Sequence, residues 1–132
     1  MAFNISVTST VAAGLALSGG EASIGFVTFA YDTEDPLAVT VSTTTDLGSR
    51  SWTVERDRLD DGLLVGCETT AMSIARGDAD HFALGLRAGG EPEVTAVIAT
   101  AEVVDFLNLS YDIVALGQEM RWVDVDRELL ET

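Results

Sequence analysis

The segment FNISVTSTVAAGLAL, from Phe3 to Leu17, has the clearest periodic pattern in the chain. Its odd positions carry apolar side chains, interrupted at Ser9, and its even positions are polar or small. Alternation with a period of two over this length predicts a long β-strand with one buried face. The next residues, Ser18-Gly19-Gly20-Glu21, predict a tight turn because glycine adopts positive φ without steric cost.

The same criteria predict six further strands. They are Ala22–Tyr31, a third through Leu37, Val39 and Val41, a fourth at Trp52 and Val54, an irregular fifth over Leu63–Ile74, a sixth at Phe82, Leu84 and Leu86, and a seventh at Val94, Ala96 and Ile98. In the second strand the apolar residues change phase near Gly25, which predicts either a β-bulge or burial of both faces. Turns are predicted at Asp32–Pro36 and Gly89–Pro92.

Helical patterns occur between the fourth and fifth strands and after the seventh. Glu55–Gly62 predicts one or two helical turns, with Thr53 as the cap and Gly62 as the stop. From Thr100 to Ile113 the apolar period becomes helical. The expected apolar face consists of Val104, Leu107 and Tyr111, with Val103 and Phe106 beside it.

The tail from Arg121 to Thr132 could form a last amphipathic helix through Trp122, Val125, Leu129 and Leu130. The predicted fold class is therefore α+β: one domain over residues 1–132, with a seven-stranded, mostly antiparallel, barrel-like sheet and helices at the C-terminal end. The two apolar helices either close the core or contact another subunit.

The charge of the chain is strongly negative, because 22 acidic residues outnumber seven basic residues, all of them arginine, for a net charge of −15. Nucleic-acid binding requires clustered cations that displace counterions from phosphate, and scattered arginines do not supply them. An anionic membrane surface is disfavoured for the same reason, and the apolar run Val11–Leu17 is too short to span a bilayer. The composition predicts protein partners with neutral or basic patches, no nucleic-acid partner and no membrane insertion.

Cysteine usage points to a cytoplasmic protein. Cys67 is the only cysteine, so no intrachain disulfide can form and a reducing compartment is expected. The N-terminal residues lack the positive charge that opens a signal peptide. Cys67 is predicted to be a buried structural cysteine, because the adjacent Glu68 disfavours a reactive thiolate.

The one histidine lies in an acidic segment. Asp78, Asp80 and His81 could share a metal ion in principle, and the simpler interpretation is a solvated turn between the fifth and sixth strands. We therefore predict no metal site there.

A second acidic segment, Asp32, Glu34 and Asp35, resembles the start of a calcium loop. Thr43 stands at the loop position that requires glutamate, so a turn is predicted instead. The chain also has no nucleophile-elbow motif, no HExxH helix and no GxGxxG motif. The sequence predicts no catalytic, cofactor-binding or metal residues and leaves the partner-binding residues unknown.

Two stretches resemble the SsgA-like family of actinomycete cell-division proteins. FAYDTEDPLAV, at Phe29–Val39, is similar to the family signature of RYD, two variable residues and DPYAV. WTVERDRLDDGL, at Trp52–Leu63, is similar to WxFARDLLxxGL, with the tryptophan, the Arg-Asp pair and the Gly-Leu pair in register. A weaker third likeness, over Ala101–Leu107 and Val114–Glu119, is to the family's C-terminal helix and its VPPGEE exit.

The chain also departs from the family pattern. Ala30 and Leu37 replace the arginine and the second tyrosine of the signature, and the VWPS segment is missing. These departures indicate a divergent member.

The resemblance implies a fold like that of the Whirly single-stranded-DNA-binding proteins, arranged as a homo-oligomer, a trimer. It implies a non-enzymatic protein-interaction module, without cofactors, that acts in septation during growth or sporulation and is recruited to the division septum. By the same resemblance, some members help bring the tubulin-like protein FtsZ to septal sites, and others influence peptidoglycan synthesis or spore-wall maturation. FtsZ and septal or wall-synthesis proteins are therefore the expected partners.

Other functions stay open on the residues alone. One alternative is a small ligand-binding or regulatory module unrelated to division, and another is a wall-hydrolase accessory with catalysis of its own. A Whirly-like fold would invite DNA binding, but single-strand binders need a cationic groove lined by stacking aromatics, and the charge opposes it. Trp52, in phase with Val54, is predicted to anchor the core.

Overall fold

The computed structural model describes residues 5–17, 22–45, 48–87 and 93–115. Within these ranges, the strands are β1 (Ser6–Leu17), β2 (Ala22–Asp32), β3 (Ala38–Thr45), β4 (Gly48–Glu55), β5 (Cys67–Glu68), β6 (Met72–Arg76), β7 (His81–Leu86) and β8 (Val94–Ala99). The helices are α1 (Arg56–Val65) and α2 (Thr100–Ile113). All eight strands join one sheet in the order β4-β3-β2-β1-β8-β7-β6-β5, and every pair is antiparallel.

β1 lies in the middle of the sheet, which follows from its length and its alternating pattern. It pairs with β2 from Ser6 opposite Asp32 to Ala16 opposite Ala22, and its last four residues, from Gly14 to Leu17, also pair with β8. Its odd side chains from position 11 to position 15 are buried and its even ones face outward. The predicted first strand is therefore confirmed over the described residues.

The buried face of the sheet is apolar, and α2 packs against it. The ring centroids of Phe29 on β2 and Phe106 on α2 lie 5.7 Å apart. The bounds predicted for this helix are confirmed, and so is most of the predicted face: Val103, Phe106 and Leu107 are buried, and Tyr111 packs against the core. Val104 is the exception, because it is 40% exposed, and the polar residue Ser110 is buried in addition.

The strand count of seven was wrong, because the predicted fifth strand over Leu63–Ile74 is three elements. α1 extends to Val65, and two short strands, β5 and β6, follow it. The irregular apolar phase of this segment reflects the change from a helical to an extended backbone.

The sequence predicts that α1 stops at Gly62, but the helix continues past this residue to Val65. Gly62 is buried within the helix, where an added Cβ would lie 2.5 Å from Ile74 Cδ1 and 3.0 Å from Cys67 Cβ. The residue is a glycine because α1 approaches the sheet closely there. The helix ends before Gly66, which has a φ of +80°. The predicted Thr53 cap is also wrong: Glu55 occupies the N-cap position, and no side chain caps the helix.

β2 contains neither the predicted bulge nor two buried faces. Its pairing with β1 is continuous from Ala22 to Asp32, so no residue is inserted near Gly25. The phase change arises because Ile24 and Phe26 face outward and are 86% and 53% exposed. Val27, by contrast, is fully buried on the inner face.

Three sequence predictions lie outside the described residues. They concern the turns at Ser18–Glu21 and Gly89–Pro92 and the tail helix at Arg121–Thr132. Neither helix in the described part of the chain has the length and apolar content that a membrane crossing requires.

Candidate functional site

Arg56, the arginine of the second family-like stretch, lies in the core of the protein with no exposed surface. Its guanidinium carbon is 4.7 Å from the ring centroid of Tyr31 and 4.4 Å from that of Tyr111. A guanidinium over an aromatic face is attracted by the ring quadrupole, and the attraction grows when both groups are desolvated. The two rings therefore offset part of the cost of burying this charge.

Hydrogen bonds connect Arg56 to two other parts of the fold, the end of α2 and the residue before β3. Its Nη1 donates to the carbonyl oxygen of Ser110 at 3.2 Å and lies 3.4 Å from the Ser110 hydroxyl. Its backbone N–H donates to the carbonyl oxygen of Leu37 at 2.8 Å. Since Ser110 is in the last turn of α2, the positive guanidinium also interacts favourably with the negative end of the helix dipole.

The two tyrosines beside Arg56 each donate a hydrogen bond from the hydroxyl group. Tyr111 donates to Asp60 Oδ2 at 2.8 Å, and Tyr31 donates to the carbonyl oxygen of Pro36 at 2.9 Å. Burial, followed by the hydrogen bond to Asp60, raises the pKa of Tyr111 above its usual range. The cluster of Tyr31, Arg56, Asp60, Ser110 and Tyr111 thus joins β2, α1 and α2 and has a structural role.

Trp52 lies on the inner face of β4 and is 7% exposed, which confirms the predicted core position. The guanidinium carbon of Arg50 lies 4.9 Å from the centroid of its ring. Cys67 is half-buried, so its predicted full burial is only partly met, and it packs against the hydrophobic core.

Asp78, Asp80 and His81 form an exposed turn at one end of β7. Asp78 Oδ1 accepts the backbone N–H of Asp80 at 2.8 Å and lies 3.1 Å from His81 Nδ1. The Asp80 amide, and then the His81 ring, hold the pKa of Asp78 below its usual value. Among the described residues, no group of three or more His, Cys, Asp or Glu side chains could hold a metal ion.

The segment Asp32–Pro36 is a turn, as predicted. Asp32 Oδ1 accepts a hydrogen bond from the backbone N–H of Glu34 at 2.8 Å. The backbone carbonyl oxygen of Asp32 accepts a hydrogen bond from the backbone N–H of Asp35 at 3.0 Å. Thr33 is buried, and its Oγ1 accepts the N–H of Ile5 at 3.0 Å. The acidic side chain at the head of this segment therefore closes a turn.

An apolar outer face, not expected from the sequence, crosses the middle of the sheet. Gly14 on β1 lies opposite Ile24 on β2 and Val97 on β8, and Phe26 lies opposite Ala12. Val97 is 50% exposed. The phase change in the second strand was the one sequence signal of this face, because it placed large apolar residues on the outward-pointing positions.

The two ends of the curled sheet approach each other at a groove of about 290 Å³. One side is lined by the end of β4 and the start of α1, at Thr53, Val54, Glu55 and Arg58. The other side is lined by the β5–β6 connection at residues 69–71 and by Met72, the first residue of β6. Since β4 and β5 are the two edge strands, this groove is the seam where the sheet does not close into a complete barrel. No local pattern in the sequence indicates this groove, because it depends on the curl of the sheet.

These features define a small α+β module with a curled sheet, a helix on its concave side and exposed apolar and strand-edge surfaces. The chain belongs to the family described as Streptomyces sporulation and cell division protein, SsgA, whose model matches residues 26–119. It is 36% identical over 104 residues to the sporulation-specific cell division protein SsgB of Saccharopolyspora erythraea, covering 75% of this chain and 72% of that protein.

Two solved structures share the fold. An SsgA-like sporulation-specific cell division protein from Thermobifida fusca aligns with a TM-score of 0.82 at 20% identity, covering 97% of this chain and 96% of the relative. A structure from work on SsgB mutations that correlate to longitudinal cell division during sporulation of Streptomyces coelicolor has a TM-score of 0.76 at 22% identity, covering 90% and 96%. The curled α+β fold is confirmed, and family membership supports a role in cell division.

Proposed function

We propose that this chain is a non-enzymatic protein-interaction module of cell division and sporulation that recruits or regulates FtsZ or wall-synthesis proteins at the septum. The match of residues 26–119 to the SsgA family carries this proposal. The sporulation-specific cell division protein that is 36% identical over 104 residues supports it.

The surface chemistry agrees with contacts to other protein chains. The outer face exposes Ile24, Phe26 and Val97 on a chain whose net charge is −15. Exposed apolar patches on soluble domains mark interaction sites for other macromolecules or for ligands. Among the titratable groups of the described residues, Arg56 and Tyr111 are held inside the fold by structural contacts.

The test measures, by surface plasmon resonance, direct binding of the purified full chain to purified FtsZ from the same organism. An unrelated acidic protein of similar size replaces FtsZ in the control. We expect saturable binding to FtsZ and none to the control. A fluorescent fusion should also collect at septa before they constrict. Absence of both FtsZ binding and septal localisation would contradict the proposal, and a small molecule retained in native mass spectrometry would favour a ligand-binding module instead.

A further inference from the structure

The outer edge of β4 is a row of backbone groups that the described fold leaves without a strand partner. β4 is the terminal strand at one end of the sheet and pairs with β3. The edge is eight residues long and contains no proline. Proteins usually shorten, charge, bend or cover such edges, because an exposed one accepts another strand.

The hydrogen bond from Arg56 to Leu37 identifies which backbone groups of β4 point outward. It continues the β3–β4 register by one pair beyond Ala38 opposite Glu55. Hydrogen-bonded and non-hydrogen-bonded pairs alternate along an antiparallel ladder. The residues of β4 whose backbone N–H and C=O groups point away from β3 are therefore Ser49, Ser51, Thr53 and Glu55.

A side-chain contact supports this assignment independently. Ser42 Oγ and Ser51 Oγ lie 2.9 Å apart across the two strands. Side chains approach more closely in non-hydrogen-bonded pairs, which is the type that the alternation assigns to Ser51. Among the described residues, no backbone hydrogen bond joins the outward groups of Ser51 or Thr53 to another segment.

The seam groove lies along the C-terminal half of this edge. Thr53 and Val54 form part of one wall, and Met72, which is buried, forms part of the opposite wall. The groove therefore offers a recess for one side chain directly beside backbone groups that accept a strand. Arg58 lies at its rim, where its side chain is exposed.

The opposite wall is held in place by its own hydrogen bonds. The backbone N–H of Thr69 donates to the carbonyl oxygen of Met72 at 2.7 Å, and the N–H of Met72 donates to Thr69 Oγ1 at 3.0 Å. Arg87 Nη1 donates to the carbonyl oxygen of Thr69 at 2.9 Å. Because this wall is ordered before binding, less conformational entropy is lost when a ligand enters the groove.

We propose that a protein partner binds here by strand addition: an extended peptide segment pairs with Ser49, Ser51 and Thr53 and inserts one apolar side chain between Val54 and Met72. Alternating N–H and C=O groups recognise a peptide backbone, whereas nucleic acid has no matching pattern. The segment is free of proline at its pairing positions and is not strongly acidic, since this chain carries a net charge of −15. This inference assigns a surface to the proposed function and rests on it.

The test uses a phage-displayed library of random peptides of about ten residues, the length of a long strand, selected on the immobilised full chain. The best peptide is then titrated against the wild-type chain, Thr53→Pro and Thr53→Ala. Proline removes the outward N–H of Thr53 without removing a bond to β3, so the ladder is retained. Alanine keeps that N–H and is the matched control.

We expect Thr53→Pro to bind about tenfold more weakly than Thr53→Ala, as the loss of one or two backbone hydrogen bonds requires, because both variants lack the threonine side chain and only the proline lacks the N–H. Circular dichroism melts establish that both variants are folded. If Thr53→Pro does not fold, peptides methylated on alternate backbone nitrogens replace it, and one of the two methylation registers should abolish binding to the wild type.

Equal affinity of Thr53→Pro and Thr53→Ala, or equal binding of both methylated registers, would overturn the proposal. So would selection of no peptide. If Thr53→Pro has a different oligomeric mass from the wild type in the absence of peptide, the β4 edge serves self-association instead. If Thr53→Pro still binds FtsZ, the division function stands and only strand addition at the β4 edge is refuted. If the wild type selects peptides but binds no division protein, only the proposed function is refuted.

Discussion

The guanidinium carbon of Arg56 lies 4.4 Å from the ring centroid of Tyr111, and this contact joins the first turn of α1 to the last turn of α2. The arginine belongs to the Trp52–Leu63 stretch that resembles the SsgA-like signature. Its burial makes it a part of the core, so this residue of the signature has a role in folding. Exposed residues of the same stretch, such as Arg58 at the rim of the groove, remain available to partners.

Replacing Arg56 with alanine should lower the free energy of unfolding by about 2–5 kcal/mol, the range for truncating a large buried side chain. The change removes both ring contacts and the hydrogen bond to Ser110. Arg58→Ala, on the exposed side of the same helix, is the control and should change stability by about 0.5 kcal/mol or less. Urea unfolding followed by circular dichroism measures both, and equal midpoints would mean that the buried cluster contributes no net stability.

Alkaline pH should destabilise the wild type more steeply than Tyr111→Phe. Burial and the hydrogen bond to Asp60 raise the folded pKa of Tyr111 above its ordinary value of 10.0. The stability from the protonated phenol is therefore complete below pH 10 and is lost as the pH rises from there through the folded pKa. Thermal melts on both sides of this value, together with tyrosinate absorbance, test this. Identical pH profiles for the two proteins would contradict it.

Trp52→Ala should cost about 3–5 kcal/mol, the range for a buried aromatic residue truncated to alanine. Trp52 is 7% exposed and packs with the core beneath β4. Trp52→Phe is the matched control, because it keeps an aromatic ring at the position and should lose less. A Trp52→Ala variant that melts like the wild type but no longer binds a partner would instead make Trp52 an interface residue.

The chain should form a homo-oligomer, a trimer, through its apolar outer face. Val97→Asp and Ile24→Asp place a charge within that face, and both positions lie opposite Gly14. We expect either change to lower the mass measured by light scattering, because burying an unpaired carboxylate in a contact is costly. Thr8→Asp, an exposed change elsewhere on β1, is the control. A wild type that is monomeric at micromolar concentration would refute the prediction.

Short single-stranded DNA should not bind at near-physiological salt. Arg56 is buried, Arg87 lies within 4 Å of Glu68 and Glu93 at 3.6 and 3.7 Å, and Arg58 is 3.9 Å from Glu55. These three arginines are therefore engaged within the fold and do not contribute to the cationic groove that single-strand binders use. Fluorescence anisotropy measures this, and micromolar binding that weakens with added salt would reveal such a groove.

Local sequence patterns determined the elements of this fold. The alternation of Phe3–Leu17 identified the central strand, and the helical period from Thr100 to Ile113 identified α2 with its bounds. The family-like stretches at Phe29–Val39 and Trp52–Leu63 identified the family. Periodicity and short motifs involve residues that are close together in the sequence, so they can be recognised without knowledge of what each element packs against.

Tertiary structure alone decided what those elements do. Only the curl of the sheet places Arg56 between Tyr31 and Tyr111, packs Gly62 against Ile74 and turns Ile24 outward. It also brings β4 to the β5–β6 connection, which forms the seam groove. These relationships depend on strand order, register and curvature. They join residues that are far apart in the chain, and the periodicity of a local segment does not predict which distant residues it contacts.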